Sequence, residues 1–405
     1  MARTCGIEQI FLKILLVHNT YQQPGGEDVV FEQEHRLLLD AGHEVTTFNR
    51  SNWDADSYGG LRVLSLAKRT VWASDTRSDV ARILNEKKPD VVHIHNTFVM
   101  ISPSIYSACY EAGVPVVQTL HNYRLLCPGA TFFRNGKVCE DCVGGSLWHS
   151  VEHRCYHKSL AATSVVALML ASHRVRGTWN REISCYIALS EFARSRFIAG
   201  GLPAEKIFVK PNFVHPDPAI PSGTRDYALF VGRLSPEKRV STVLAAWNQL
   251  RCSIPILVIG GGPDRPQLEQ QAAQDRLSNI RFLGQLPRAQ TLAAINNARF
   301  LVFSSEWYEN FPVTIAESFA CSTPVICSRI GAMEEIVTDG RTGFHFTAGD
   351  SEDLARKVEW AWTHPDQMRA MGDECRQEYE SKYTAAKNYP RLMEIYQWAL
   401  QHSAN

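Results

Sequence analysis

Lys210-Pro-Asn-Phe-Val-His-Pro-Asp-Pro-Ala-Ile-Pro-Ser-Gly223 interrupts the chain near its middle. Four prolines and a terminal glycine stop helix and strand alike, so the break at Lys210–Pro221 reads as an interdomain linker. On both sides of it one rhythm runs, short apolar stretches alternating with segments of helical period. Upstream, Lys13–His18, Glu44–Phe48, Val91–His95, Pro115–Leu120 and Tyr186–Leu189 read as strands, and Glu27–Ala41 as an amphipathic helix. Downstream, Ala228–Val231, Pro255–Ile259, Ile280–Leu283, Phe300–Phe303 and Val325–Cys327 read as strands. Such alternation predicts an α/β fold with two Rossmann-like, doubly wound domains facing a central cleft. The predicted division is 1–212, 213–380, and an aromatic-rich helical tail at 381–405 packing back on the first domain.

Length and charge agree with that division. A chain of 405 residues is too long for one ordinary core and suits two domains of about 200 residues each. Acidic and basic residues balance at 42 each, which argues against a nucleic-acid binder and leaves room only for a local basic patch. The first apolar run, Ile10–Val17, contains Lys13 and leads into His18 and Asn19, so it reads as a first strand rather than a signal peptide. Leu160–Ala171, the longest apolar stretch, is too short to span a bilayer. A cytoplasmic enzyme is expected, and its 11 cysteines then read as thiols or metal ligands before disulfides.

Ligands of doubly wound sheets sit beyond the carboxyl ends of the strands, so the loops there carry the chemistry. After Phe300–Phe303 comes Glu309-Asn-Phe-Pro-Val-Thr-Ile-Ala-Glu317. Asn310 is expected to cap a helix with Pro312 in its first turn, presenting free N–H groups and a partial positive charge to an anion. Glu309 before that helix and Glu317 within it suit a polyhydroxyl ligand attached to phosphate; ordinary surface glutamates are the alternative. After Ala228–Val231, Arg233 and Lys238 stand a short loop apart and can neutralise a diphosphate, unless they are merely solvated cations. Gly260-Gly-Gly-Pro263 follows another strand without the G-x-G-x-x-G spacing, so Gly261 is a weak candidate beside a ligand-free tight turn. In the first half, Pro24-Gly25-Gly26-Glu27 opens a helix after the first strand, and His121 ends the Pro115–Leu120 strand. His121 is placed in the cleft, with a purely structural histidine as the alternative.

At these residues the chain resembles, over nearly its whole length, the family-4 retaining glycosyltransferases of the GT-B fold, bacterial group 1 type. The most specific matches are the E-x7-E element from Glu309 to Glu317 and the G-R-x-S-x-E-K loop from Gly232 to Lys238. Gly25-Gly26, His121, Gly260–Pro263, Pro324–Ser328 with Gly331 and Glu335, and the Asp339–Phe344 turn also match. The resemblance implies that Arg233 and Lys238 bind the donor diphosphate, Glu309 the transferred sugar and Glu317 the ribose. Backbone groups at Phe311, Val313 and Thr314 would meet sugar and phosphate, and those near Leu283 and Gly284 the base. His121 would lie beside the donor sugar and Gly26 near phosphate and acceptor. Two departures are Pro312, where many members have glycine, and Asn122, where aspartate is frequent.

The implied reaction is same-face transfer of a hexosyl group from a nucleoside-diphosphate sugar to a glycan or lipid-linked acceptor, in polysaccharide or glycolipid biosynthesis. No metal or other cofactor would take part in catalysis, because the cations and the helix N-terminus carry the charge. A nucleotide-sugar epimerase and a non-catalytic sugar-nucleotide binding module are the competing readings.

Two further features stand apart. Cys127, Cys139, Cys142 and Cys155 fall in one insert at about 127–155, and Cys139-x-x-Cys142 with two flanking cysteines suits a closed structural zinc site. His149, His153 and His157 are substitute ligands, and free thiols or a disulfide are the alternatives. Ser159–Arg181 joins the apolar run Val165–Leu170 to His173, Arg174, Arg176 and Arg181, and Lys68 and Arg69 lie in another helical stretch. That combination suits peripheral contact with an anionic membrane at its inner face, against the alternative of a helix simply buried on the sheet.

Overall fold

A computed structural model of the chain describes residues 11–22, 25–57, 62–218, 223–250 and 253–402. Ile10, Pro24 and linker residues 219–222, invoked above, lie outside them. The first half supplies β1 (Lys13–Thr20), β2 (Glu44–Ser51), β3 (Val91–Ile94), β4 (Val116–Thr119), the hairpin β5 (Phe133–Arg134) and β6 (Lys137–Val138), then β7 (Cys185–Ala188) and β8 (Ile207–Val209). The second half supplies β9 (Ala228–Val231), β10 (Ile256–Ile259), β11 (Ile280–Gly284), β12 (Phe300–Phe303), β13 (Val325–Ser328) and β14 (Gly343–Phe346).

Two parallel sheets result, ordered β2-β1-β3-β4-β7-β8 and β11-β10-β9-β12-β13-β14. Central strands are covered on both faces and therefore read as unbroken apolar runs: in β1, Ile14 to Val17 are each at most 1% exposed. Counted within its own half, the second sheet runs 3-2-1-4-5-6 and reverses direction between β9 and β12. The first reverses between β1 and β3. A crevice opens beyond the carboxyl ends of the strands at each reversal, and the stretches carrying Gly25, Gly26, Arg233, Lys238 and Glu309 follow three of those four strands, β1, β9 and β12. The fold is the two-domain, Rossmann-like GT-B arrangement.

The sequence reading missed two edge strands. β8 has only three residues, too few to show a period. β14 begins inside the Asp339–Phe344 stretch taken as a turn. Its first residue is held at φ +157, where a side-chain Cβ would lie 1.9 Å from the Val325 carbonyl oxygen, so only glycine lets β14 reach β13. The linker reading also needs correction at its start. Lys210, Asn212, Phe213 and Val214 are buried, and the Val214 N–H donates to the Tyr383 carbonyl at 2.9 Å.

The helix Ala385–Gln401 lies against β3, β4 and the helix Gly26–Asp40, burying Leu392, Ile395, Tyr396 and Ala399. Apolar side chains run without a gap from Leu16 and Phe31 through Leu392 and Tyr383 to Phe311 and Phe319, tying the two halves together. Within this region the Lys210 ammonium meets Glu34 Oε2 at 2.8 Å and Asn388 Oδ1 at 3.1 Å, with the lysine and glutamate side chains at most 2% exposed. Removing one member of such a pair leaves a buried charge without a partner. Lys210→Ala is therefore expected to destabilise the protein by about 3–5 kcal/mol, read from urea unfolding; a loss under about 1 kcal/mol would contradict the arrangement.

Candidate active site at the facing strand ends

The two crevices face each other. Gly26, His121, Glu309, Phe311 and Val313 line one cleft, and a Cβ on Gly26 would come within 3.9 Å of the Val313 side chain across it. Glu309 is 7% exposed and its Oε1 collects three donors: the Lys238 ammonium, the Ser305 hydroxyl at 2.7 Å and the Trp307 indole N–H at 2.6 Å. Among the described residues no donor takes Oε2, which is left to accept from a ligand hydroxyl. Lys238 also lies over the rings of Phe303 and Trp307, 5.1 and 5.5 Å from their centres. Arg233 is exposed and makes no ion pair among the described residues.

Asn310 does not cap the helix after β12. That helix spans Val313–Ala320 with Pro312 at its N-cap, while the Asn310 amide donates across the cleft to the Leu120 carbonyl. The reason is distance in the chain: proximity to the helix suggested a cap, but a partner on the other domain claims the side chain. Val313 and Thr314 open the helix, so their N–H groups have no partner within it, and Val313 lines the cleft. Phe311, by contrast, is an apolar wall whose ring meets Tyr383 at 5.6 Å.

Glu317 sits one turn further in, and burial raises its carboxyl pKa while Arg288 opposes the rise. Arg288 Nε and Nη2 each lie 3.2 Å from its Oε1. The sequence reading missed Arg288, although its place just beyond the carboxyl end of β11 was the signal. Leu283 lies in β11, partly buried. Gly260 and Gly262 are demanded by packing, since a Cβ on either would come within 2.2 Å of a carbonyl oxygen of the β9 loop. Gly261 has open space there, with nothing within 4 Å.

On the first domain, Gly25 occupies the N-cap of the helix Gly26–Asp40 and its N–H donates to Asp28 Oδ2 at 2.7 Å. Burial resists ionisation of Asp28, but hydrogen bonds from His18 and Gly25 outweigh it and hold the carboxyl below its usual range. His121 is kept neutral, its pKa forced well below the usual value by burial and by His95. His95 Nδ1 meets His121 Nε2 at 2.9 Å, and His95 Nε2 lies 3.3 Å from Glu34 Oε1. Glu34, His93 and His95 bring their ligand atoms within 4.8 Å of one another, a metal-like cluster absent from the sequence reading. The Lys210 ammonium already neutralises Glu34, and burial is overridden by Lys210 and His93 to hold its pKa well below the ordinary value.

Family models match both halves of the chain: "Glycosyltransferase Family 4" over residues 24–218 and "Glycosyl transferases group 1" over 216–378. The α-maltose-1-phosphate synthase of Mycolicibacterium smegmatis is 27% identical over 340 residues, 79% of this chain and 81% of that one. The phosphatidyl-myo-inositol mannosyltransferase of the same organism is 25% identical over 367 residues, 87% of this chain and 84% of that one. The Anabaena protein HepE, solved in complex with UDP, shares the fold with a TM-score of 0.67 at 19% identity, covering 95% of this chain and all 100% of its own. Sucrose-phosphate synthase from Thermosynechococcus elongatus superposes with a TM-score of 0.69 at 17% identity, over 95% and 98% of the two chains.

Glu27, also missed from sequence, stands on the cleft wall. Its hydroxyl partner Tyr21 is 3.4 Å away and its Oε1 has no partner among the described residues. Burial, then Asp28, pushes its pKa from 4.5 up to about 8. The folded chain thus holds a proton that the unfolded chain releases near 4.5. The stability this proton confers is full below that value and is lost as pH rises through about 8. Glu27→Gln should flatten that decline in thermal unfolding and leave the variant the more stable protein at the alkaline end. Parallel pH profiles for both proteins would contradict the placement.

Proposed function

Because the chain belongs to the family-4, group 1 glycosyltransferases of the GT-B fold, we propose that it transfers a hexosyl group from a nucleoside-diphosphate sugar with retention of configuration and without a catalytic metal. The observation that carries this reading is the meeting, at the β9/β12 reversal, of an unpaired Arg233, Lys238, a helix N-terminus and a carboxylate with one free oxygen. Family membership sets the epimerase and binding-module alternatives aside.

In this reading Arg233, Lys238 and the N–H groups of Val313 and Thr314 hold the diphosphate and stabilise the charge it gains on leaving. Arg288 orients Glu317 toward the ribose hydroxyls. Glu309, its Oε1 saturated, offers Oε2 to a hydroxyl of the transferred sugar. As the bond from C1 to the phosphate oxygen breaks, the acceptor oxygen bonds to C1 on the same face. The acceptor proton passes to the departing phosphate oxygen. His121, held neutral, packs beside the sugar and need not take that proton. The chain's one Asp-x-Asp triplet, Asp54-Ala55-Asp56, follows the edge strand β2, in the domain opposite the phosphate cations. The donor site thus relies on protein cations.

The acceptor is a glycan or lipid-linked sugar of polysaccharide or glycolipid biosynthesis, met at the cytoplasmic face of a membrane. Among the described residues no helix is long and apolar enough to cross a bilayer. Within Val165–Leu170, Val166, Ala167, Met169 and Leu170 are buried in the domain, so most of that run is core and not lipid-facing. The opposite stripe of the helix Leu160–Arg176 is apolar and open, with Leu160, Leu168 and Val175 52%, 61% and 90% exposed. Trp148, Leu168, Val175 and Arg174 share one groove on that side. This stripe with its arginines is the membrane-facing surface.

Two measurements test the reading. Glu309→Gln should lower turnover by a factor on the order of 100 or more while free nucleoside diphosphate still binds; near-normal turnover would remove Glu309 from the site. The native chain should cosediment with anionic liposomes at low salt, less at high salt, and Leu168→Glu should abolish it. Equal behaviour of native and variant chains would reject the stripe.

A further inference from the structure

The Cys-rich insert at about 127–155, between β4 and the helix Leu160–Arg176, does more than its secondary structure can explain. It holds two strands of two residues each and one helix of five, Trp148–Glu152. Yet it forms part of the cleft wall and reaches the other domain. Ala130 lines the cleft beside His121 and Glu309. The Phe132 ring approaches Tyr308 at 6.3 Å, edge to face. Arg239, the neighbour of Lys238, donates from Nη2 to the Gly136 carbonyl at 2.9 Å and pairs through Nε with Glu306 at 2.9 Å. Leu126, Phe132, Leu147 and Val151 anchor it in the domain core, while the turns around its thiols have almost no regular secondary structure to hold them.

The same piece gathers four thiols. Cys127, Cys139, Cys142 and Cys155 line a single cavity of about 20 Å³, with Gly129 and Arg134 between them. Local turns aim them there. The Ala130 N–H donates to the Cys127 carbonyl at 2.7 Å, Val143 to Glu140 at 2.8 Å across the Cys139-x-x-Cys142 turn, and Cys155 to Ser150 at 3.0 Å. Gly129 lets the strands close, since a Cβ there would lie 3.3 Å from the Cys155 carbonyl oxygen and 3.7 Å from Cys127 Sγ. All four are free thiols. His149 borders the cavity, whereas His153 and His157 are exposed and do not.

We propose that Cys127, Cys139, Cys142 and Cys155 bind one zinc ion as four thiolates, and that this ion fixes the wall which the insert presents to the donor cations. Binding releases four thiol protons to solvent and leaves a site of net charge about −2, with the Arg134 guanidinium lining it. No three of the four sulfurs lie within 4.8 Å of one another, a spacing that among the described residues only the Glu34, His93 and His95 atoms meet. Zinc–sulfur bonds of about 2.3 Å would draw the sulfurs together around the ion. Glu34, His93 and His95 do not compete, because the Lys210 ammonium occupies their charge. Soft thiolates select zinc over magnesium, so this metal is separate from donor chemistry.

The test uses the full-length chain, purified without a histidine tag from cells grown without added zinc. Elemental analysis should find about one zinc per chain. Cobalt exchanged into the site should show thiolate-to-metal charge transfer with tetrahedral ligand-field bands. Stripping the metal should speed amide exchange across 127–155 and at Tyr308 and Arg239, leaving β9 to β12 protected. Cys139→Ser and Cys142→Ser should lose the metal. If either fails to fold, the native zinc content and cobalt spectrum decide alone. Four thiols titrating freely in metal-free folded protein, two disulfides by mass spectrometry, or iron with acid-labile sulfide would each overturn the proposal.

Discussion

The ion pair between Lys238 and Glu309 joins the loops that leave β9 and β12, the two strands at which the second sheet reverses its winding. Its value is not chiefly stability, since desolvating a charged pair cancels much of the attraction. What it supplies is order before any ligand arrives. Ser305, Trp307 and Lys238 share one oxygen of Glu309, and among the described residues no donor takes the other. Donors held in place in this way need no reorganisation as charge develops on the leaving group. Arg233, on the loop that carries Lys238, makes no ion pair among the described residues, and in the proposed reading it is the second contact for the diphosphate.

The first domain meets this site with a different device. Its charges are buried in a chain running from Lys210 through Glu34 and His95 to His121. Burial and the neighbouring imidazoles keep both neutral; His95 is lowered to about 3 by burial first and His93 next. A neutral His121 can sit beside a sugar and a diphosphate without adding a titrating charge in the physiological range. Asn388 and Tyr396 of the last helix hold the far end of this network, through Lys210 and His93 at 3.1 and 2.8 Å. The terminal helix is thereby part of the active domain's electrostatics as well as its packing.

Local pattern made the two sheets legible. Ala228–Val231 and Phe300–Phe303 were bounded correctly because each is an apolar run closed by polar or glycine residues. What stayed hidden depends on partners far along the chain. Glu34 and Lys210 are 176 residues apart, and Asn310 and Leu120 are 190 apart, so no window of sequence shows either contact. Arg288 and Glu27 stand in the first turns of the helices that follow β11 and β1, where position was the one signal and spacing did not tell them from surface charges. The apolar run Val165–Leu170 left two readings, an interfacial face beside its arginines or a helix buried on the sheet; helical phase sends most of it inward and exposes one stripe.

The central claim is same-face transfer driven by protein cations alone. Its most direct measurement is proton NMR of the first product formed in magnesium- and manganese-free buffer, using the nucleotide sugar that most raises the melting point of the protein. The anomeric coupling of the new linkage should match that of the donor from the earliest time points, at a rate unchanged by added magnesium. Inverted configuration, or transfer that begins only when a divalent ion is supplied, would contradict the account.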